Sequence, residues 1–478
     1  MRKLNNHPCS KIVLWSLVVF FASCQTNNRD ISSNSGESPD IEFWITSGDR
    51  SSLLKKGAGL SFGNVPDSVP VIEVDTTQHF QTIDGFGYAL TGGSAYLINQ
   101  KLDVAQRDAL MKELFLFDKN NIGISYLRVS IGSSDLDDHV FSYDDLPMGQ
   151  TDVALAKFSL APDQQNLIPV LKQILEVNPG IKIMSSPWSP PTWMKTNNNS
   201  KGGSLKSEYY QVYADYFVKY IQGMAKEGIP IDAITIQNEP ENPNNNPSLV
   251  MTAHEQADFI KNNLGPAFKN AALASKIIVY DHNGDHPEYP IAVLNDPNAK
   301  KFVDGSAFHL YAGKIEALSE VHNTHSDRSV YFTEQWTSPH GDFEGDLRWH
   351  TKNLIVGATR NWSRNVLEWN LAADPAFNPH TDGGCTECMG ALTIGASVSR
   401  NVSYYIIAHA SKFVRPGSVR VASNVAESLP NVAFLTTEGK KVLIVLNDNT
   451  EVKRFTIKFK GKSAMASLPE GSVGTFVW

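Results

Sequence analysis

Two glutamates stand where chemistry is expected. One closes the run Ile234-Thr235-Ile236-Gln237-Asn238-Glu239 and is followed by Pro240; the other closes Val330-Tyr331-Phe332-Thr333-Glu334. In each, a β-branched and apolar run stops at a carboxylate. Such runs read as buried parallel strands. A carboxylate at the carboxyl end of a buried strand sits where barrel enzymes place their catalytic groups. Two of them on different strands supply what cleavage of a glycosidic bond requires, an acid to protonate the leaving oxygen and a carboxylate to attack the sugar carbon. On this reading Glu239 is the general acid and then the base, and Glu334 is the nucleophile. An ionised Glu334 would push the pKa of Glu239 upward and keep it protonated. Asn238 stands ready to hydrogen-bond the sugar hydroxyl beside the reacting carbon. A structural ion pair at a strand end would account for either glutamate alone; the pair carries the functional reading.

The elements that must position them follow from periodicity. Strand-like runs at Ile83–Tyr88, Tyr126–Ile131, Ile181–Ser185, Ala233–Gln237, Ile277–Tyr280, Gly305–His309, Val330–Thr333 and Val366–Asn370 alternate with helical patterns. The clearest helix spans Glu208 to Lys226, with Tyr209, Tyr213, Phe217, Tyr220 and Met224 on one face. This alternation predicts an α/β protein, a (β/α)₈ TIM barrel over residues 79–410. Glu239 and Glu334 end its fourth and seventh strands. Three βα units of roughly 30 residues match the interval between them. Strands four and seven face one another across the barrel mouth.

Runs near Trp44 and Val71, at residues 42–78, have no partners of their own. After residue 410 the runs Val442–Leu446, Phe455–Phe459 and Gly474–Trp478 are short, alternating and separated by turn residues. The economical arrangement is a side β-sandwich built from both chain ends, residues 42–78 and 411–478.

The chain has 478 residues, 41% hydrophobic and 19% charged, which fits a globular protein. Its formal charge is -8 with no Lys/Arg-rich block, which excludes nucleic acid as a partner. Arg2, Lys3 and Lys11 precede a short apolar run, Ile12 to Ala22, and then Ser23-Cys24. This resembles a bacterial lipoprotein signal over residues 1–23, with Cys24 lipidated and residues 24–41 a flexible tether. The expectation is export and anchoring to a bacterial outer membrane, at the cell surface or in the periplasm. Cys385 and Cys388 read as a tight loop disulfide, half a metal site or two free thiols. A second cysteine pair is absent, which argues against zinc; a disulfide bracing a loop is the preferred reading.

The ordered motifs Ile83-Asp84-Gly85-Phe86-Gly87, Ser185-Ser186-Pro187-Trp188-Ser189-Pro190-Pro191-Thr192-Trp193-Met194-Lys195-Thr196-Asn197, Thr235-Ile236-Gln237-Asn238-Glu239-Pro240, Phe332-Thr333-Glu334-Gln335 and Ser411-Lys412-Phe413-Val414-Arg415-Pro416-Gly417-Ser418 resemble glycoside hydrolase family 30 from about Ile45 onward. That family contains acid β-glucosidase (glucosylceramidase) and β-1,6-glucanases. The resemblance implies a retaining β-glycosidase needing no cofactor or metal. It implies that Asp135 binds distal sugar hydroxyls, that Trp188 borders the first subsite, and that Arg128 orients the nucleophile. By the same resemblance His309 and Tyr311 belong to the active site and Trp369 is a stacking platform under the sugar. For each of these, packing or a structural ion pair is the plain alternative. His282, Asp285 and His286 form a polar loop after strand five whose spacing suits substrate contact better than a metal.

The segment Gly383-Gly384-Cys385-Thr386-Glu387-Cys388-Met389-Gly390 resembles the cysteine-bearing loop of the β-1,6-glucanase branch. The expected substrate is therefore a β-glucan polysaccharide with 1,6 linkages, cut internally. The alternatives are an exo-acting β-glucosidase or glucosylceramidase acting on a β-glucoside, and a non-catalytic surface glycan-binding lipoprotein.

Overall fold

Eight strands close into a parallel barrel: β1 (Gly85–Ala89), β2 (Tyr126–Ile131), β3 (Lys182–Pro187), β4 (Ala233–Thr235), β5 (Lys276–Gly284), β6 (Val303–Gly313), β7 (Ser329–Glu334) and β8 (Ser363–Asn370). The computed structural model describes residues 39–63, 65, 69–426 and 428–478. The expected signal, Cys24 and most of the tether lie outside the described residues.

All eight expected strands are present, Tyr126–Ile131 with the expected bounds and the other seven with shifted ends. β1 begins at Gly85; just before it, the backbone N–H of Ile83 donates to the Ser418 carbonyl and that of Asp84 to the Arg364 carbonyl of β8. The expected helix splits into a short 3₁₀ turn, Ser207–Tyr209, and an α-helix, Tyr210–Lys226. The helix buries Tyr213, Phe217, Tyr220 and Met224, as its periodicity requires.

The barrel interior explains how the site is built. Tyr126, Met184, Ala233, Ile278, Ala307, Tyr331 and Leu367, from strands β2 to β8, form a separate buried apolar layer. Side chains alternate faces along a strand. Moving two residues along most of these strands therefore keeps the interior face and reaches Arg128, Ser186, Thr235, His309, Thr333 and Trp369. That second layer is polar and lies toward the carboxyl ends, where the barrel opens.

The side domain draws on both chain ends, as expected. A nine-stranded sheet runs in the order Lys462–Leu468, Lys453–Phe459, Val71–Thr82, Val419–Ser423, Asn431–Leu435, Lys441–Leu446, Val473–Val477, Glu42–Thr46, Lys55–Lys56. It coils on itself into a sandwich. Phe455 and Phe476, on strands well apart in that order, meet edge to face with ring centroids 5.8 Å apart. The strand Val71–Thr82 pairs Thr82 with Val419, so the N-terminal part of the side domain extends past the expected boundary at residue 78.

Alternation explains how sandwich and barrel share one structure. Leu443 and Val445 point into the sandwich, whereas Val442, Ile444 and Leu446 join the large core of the barrel. Phe434 packs edge to face on Phe86 of β1 at 6.4 Å. Burial of one such side chain contributes roughly 1.5–3 kcal/mol. The helix Val402–Ser411 carries His409, which hydrogen-bonds Thr475 and Thr46, one from each chain end, at 2.8 and 2.9 Å. Burial pushes the His409 pKa down to about 3, so this docking contact is a neutral imidazole.

Candidate active site

Arg128 is the centre of the polar layer. It is fully buried, and its guanidinium donates to Glu334 Oε2, to Asp281 Oδ2 at 2.7 Å and to Asn238 Oδ1 at 2.6 Å. Its Cζ lies 4.8 Å from the ring centroid of Trp188. Arg128 thus grips one oxygen of Glu334. The hydroxyl of Tyr311 holds the other oxygen, donating to Oε1 at 3.0 Å.

Asp281 went unnoticed in the sequence. It is fully buried and accepts hydrogen bonds from Arg128, Ser186, Thr235 and Thr333, four strands in all. Its Oδ1 also lies 3.2 Å from His309 Nε2. Burial raises its pKa, but the Arg128 charge and the His309 contact outweigh it and hold the carboxyl well below the usual range. The parity rule would turn residue 281 away from the interior. Tyr280 and Asp281 break that rule with left-handed φ values of 72° and 70°, and the β5–β6 register shifts there. The signal available was an aspartate directly after the apolar run Ile277–Tyr280.

Glu239 leaves β4 with φ 48°, a left-handed conformation unusual for a side chain this large. Its backbone N–H donates to the Asp281 carbonyl at 3.0 Å. Its Oε1 lies 3.2 Å from His309 Nδ1, and its Oε2 accepts from Asn242 at 2.7 Å and Asn245 at 3.2 Å. The same His309 nitrogen is 3.9 Å from Glu334 Oε1. One imidazole thus bridges the two glutamates, which accommodates the ~5–5.5 Å separation of a retaining pair.

The protonation pattern corrects one expectation. Both ring nitrogens of His309 face carboxylates, Glu239 on one side and Asp281 on the other. With both carboxyl groups ionised, the ring donates from both nitrogens as an imidazolium. Burial lowers its pKa, but the Glu334 charge and the bonds to Asp281 and Glu239 raise it to about 9. Burial likewise lifts Glu239, but the bond and charge of His309 bring it to about 2. Glu334 is raised, by burial first and by its acidic neighbours, against the pull of His309 and Arg128. The His309 contact therefore holds the Glu239 carboxyl low, and the same contact holds the imidazole high.

The remaining expected residues gather around a cavity of about 460 Å³ over these carboxylates. Asp135, Trp188, Tyr311 and Trp369 line it. Trp188 and Trp369 are buried and stack on each other, centroids 5.4 Å apart. That stack covers one face of Trp369, which still lines the cavity. Asp135 is pushed up to about 7 by burial and then by the charges of Glu334 and Glu239. Cys385 and Cys388 are bonded to each other and also line the cavity. Their loop is pressed onto the β2 segment: a Cβ on Gly384 would come within 2.3 Å of the Asp135 carbonyl. Of the polar loop after β5, His282 lines the cavity while Asp285 and His286 are exposed. Trp336, Asn242 and Asn245 line it too and had no role in the sequence reading.

The His309–Glu239 pair generates a pH prediction. A raised histidine pKa means the proton is fully held below the ordinary histidine range and lost as pH rises through about 9. His309→Gln leaves Glu239 to hold the proton alone. The alkaline limb of the kcat/KM profile should then move to lower pH; an unmoved limb would contradict proton storage on His309.

Comparison with known proteins accords with this geometry. Residues 83–414 match the glycosyl hydrolase family 30 TIM-barrel domain, and residues 417–476 match the family 30 beta sandwich domain. The chain is 35% identical over 419 residues to an endo-1,6-beta-D-glucanase of Neurospora crassa, covering 83% of this chain and 85% of that one. It is 30% identical over 439 residues to the lysosomal acid glucosylceramidase of Mus musculus, covering 85% and 83%. A solved endo-beta1,6-glucanase superposes with a TM-score of 0.86 at 33% identity, covering 92% of this chain and 99% of that one. With Glu239 just beyond β4, Glu334 at the end of β7, a buried arginine behind them and both domains matched, the chain belongs to glycosyl hydrolase family 30, a family of retaining glycosidases.

Proposed function

We propose that this hydrolase cuts β-1,6-linked glucan internally. The observation that carries the reading is the chemistry of the cavity wall. Two catalytic carboxylates lie among tryptophans and the amides of Asn242, Asn244 and Asn245, and no lysine or arginine is among the residues lining the cavity. Amides and indoles suit neutral sugar rings. A uronic acid would meet Asp135, Glu239, Glu241 and Glu334 with no cation to receive it. The loop after β4 and the cysteine loop after β8 are tied at the rim, where Asn246 donates to the Asp382 carbonyl at 2.8 Å and Thr381 donates to the Asn246 carbonyl at 2.5 Å. Such a fixed wall suits a polymer chain. The similarity to enzymes described as endo-1,6-glucanases supports the same choice.

The mechanism follows from the proton's position. Glu334, oriented by Arg128 and Tyr311, attacks the anomeric carbon and forms a glycosyl ester. Its charge disappears as the bond forms, and positive charge develops on the sugar. Both changes lower the proton affinity of His309, whose raised pKa depends on Glu334. The proton passes from Nδ1 to Glu239 and on to the leaving oxygen. In the second step Glu239 takes a proton from water, which attacks the ester and releases the sugar; as Glu334 regains its charge, the proton returns from Glu239 to His309 Nδ1.

Two measurements test these readings. On linear β-1,6-glucan the early products should be oligosaccharides of mixed length. Glucose alone, or activity restricted to an aryl β-glucoside or glucosylceramide, would replace the endo-glucanase reading with an exo-acting one. We also infer a lipid anchor at Cys24 of an exported protein, from the leader sequence. Cys24→Ser should move the protein from the membrane fraction to the soluble one; unchanged membrane pelleting would contradict the anchor.

A further inference from the structure

Glu239, His282 and His309 present one ligand atom each, all within 4.8 Å of one another. We propose that these three side chains bind a divalent ion of the zinc class and that its binding reversibly stops turnover. The inhibitory half rests on the reading of Glu239 as the proton donor; the binding half rests on geometry alone.

The donor set is a carboxylate and two imidazoles, as in sites that hold zinc through two histidines and a glutamate. His309 Nδ1 lies 3.2 Å from Glu239 Oε1, and His282 Nδ1 lies 4.0 Å from the same oxygen. Zinc bonds of ~2.0–2.2 Å need tetrahedral donors about 3.4 Å apart, so small side-chain rotations close the site. His282 Nδ1 is buried and has no hydrogen-bond partner. The site therefore has a buried, unpartnered ring nitrogen 4.0 Å from Glu239 Oε1.

Outer contacts orient the other two donors. His309 Nε2 faces Asp281 Oδ1 at 3.2 Å, the carboxylate–histidine arrangement that directs Nδ1 to the metal, and the incoming ion displaces the Nδ1 proton to solvent. Asn242 and Asn245 engage Glu239 Oε2, which leaves Oε1 for the ion. Glu334 Oε1, 3.9 Å from His309 Nδ1, adds negative charge beside the site. The fourth position opens to the cavity that Glu239 and His282 line. Magnesium and calcium prefer six or more oxygen ligands and find one here. An ion on Glu239 Oε1 occupies the atom that exchanges a proton with His309 and blocks both acid and base steps.

The test is a calorimetric titration of Zn²⁺, with Mg²⁺ beside it, into the full mature protein in non-chelating buffer. Turnover of an aryl β-glucoside is followed at the same metal concentrations. One zinc per chain should bind, magnesium should not, and activity should fall with zinc occupancy and return on adding EDTA. His282→Ala and His282→Gln, each checked as folded by its melting curve, should weaken zinc binding at least as much as the ~10–100-fold that loss of an outer-shell partner costs. Zinc binding unchanged in both folded variants would overturn the site. An active enzyme that zinc neither binds nor inhibits would overturn it while leaving the hydrolase reading intact. An inactive protein that still binds zinc through His282 would keep the site and remove the hydrolase reading instead.

Discussion

A full positive charge with no solvent contact governs this molecule. Arg128 is completely buried inside the barrel, and such a charge persists only where opposite charges and hydrogen bonds surround it. Asp281 and Glu334 supply the charges and Asn238 an amide oxygen. Removing one partner of a buried pair costs ~3–5 kcal/mol, so each member is held by the needs of the others. The nucleophile is therefore fixed by the electrostatics of the barrel interior. The same guanidinium lies over Trp188, which stacks on Trp369, so the aromatic floor of the cavity is fixed with it.

The second consequence concerns the proton. Asp281 neutralises Arg128 and also faces His309, which in turn reaches Glu239 and Glu334. The acid, the nucleophile and the histidine share one field. When Glu334 spends its charge on the sugar, the hold on the His309 proton weakens at the moment Glu239 needs it.

Much of this was legible in the chain. Glu239 and Glu334 each follow an apolar run, and strands alternate with helices at barrel spacing, because a parallel strand buried on both faces must be apolar until it reaches the mouth. The need to pair isolated strands near Trp44 and Val71 gave the two-ended side domain. The strands Val419–Ser423, Asn431–Leu435 and Lys462–Leu468 were not singled out; Asn431–Leu435 is buried on both faces against two cores and so lacks a polar alternation. Asp281 escaped for a sharper reason. Strand parity points it outward, and only two left-handed residues turn it in. The Trp188–Trp369 stack and the location of the proton on His309 depend on tertiary distances that no local pattern encodes.

The measurement that tests the central claim most directly is the kinetics of Asp281→Asn on an aryl β-glucoside, beside its melting curve. Asp281 touches no substrate, so it acts by positioning Arg128 and His309. The account predicts a folded protein with a modestly lowered Tm, a nearly unchanged KM and a kcat reduced ~100-fold, the cost of a misplaced catalytic group. A folded variant whose kcat stays within about twofold of the parent, far short of that ~100-fold loss, would contradict it and detach the catalytic pair from the buried charge network.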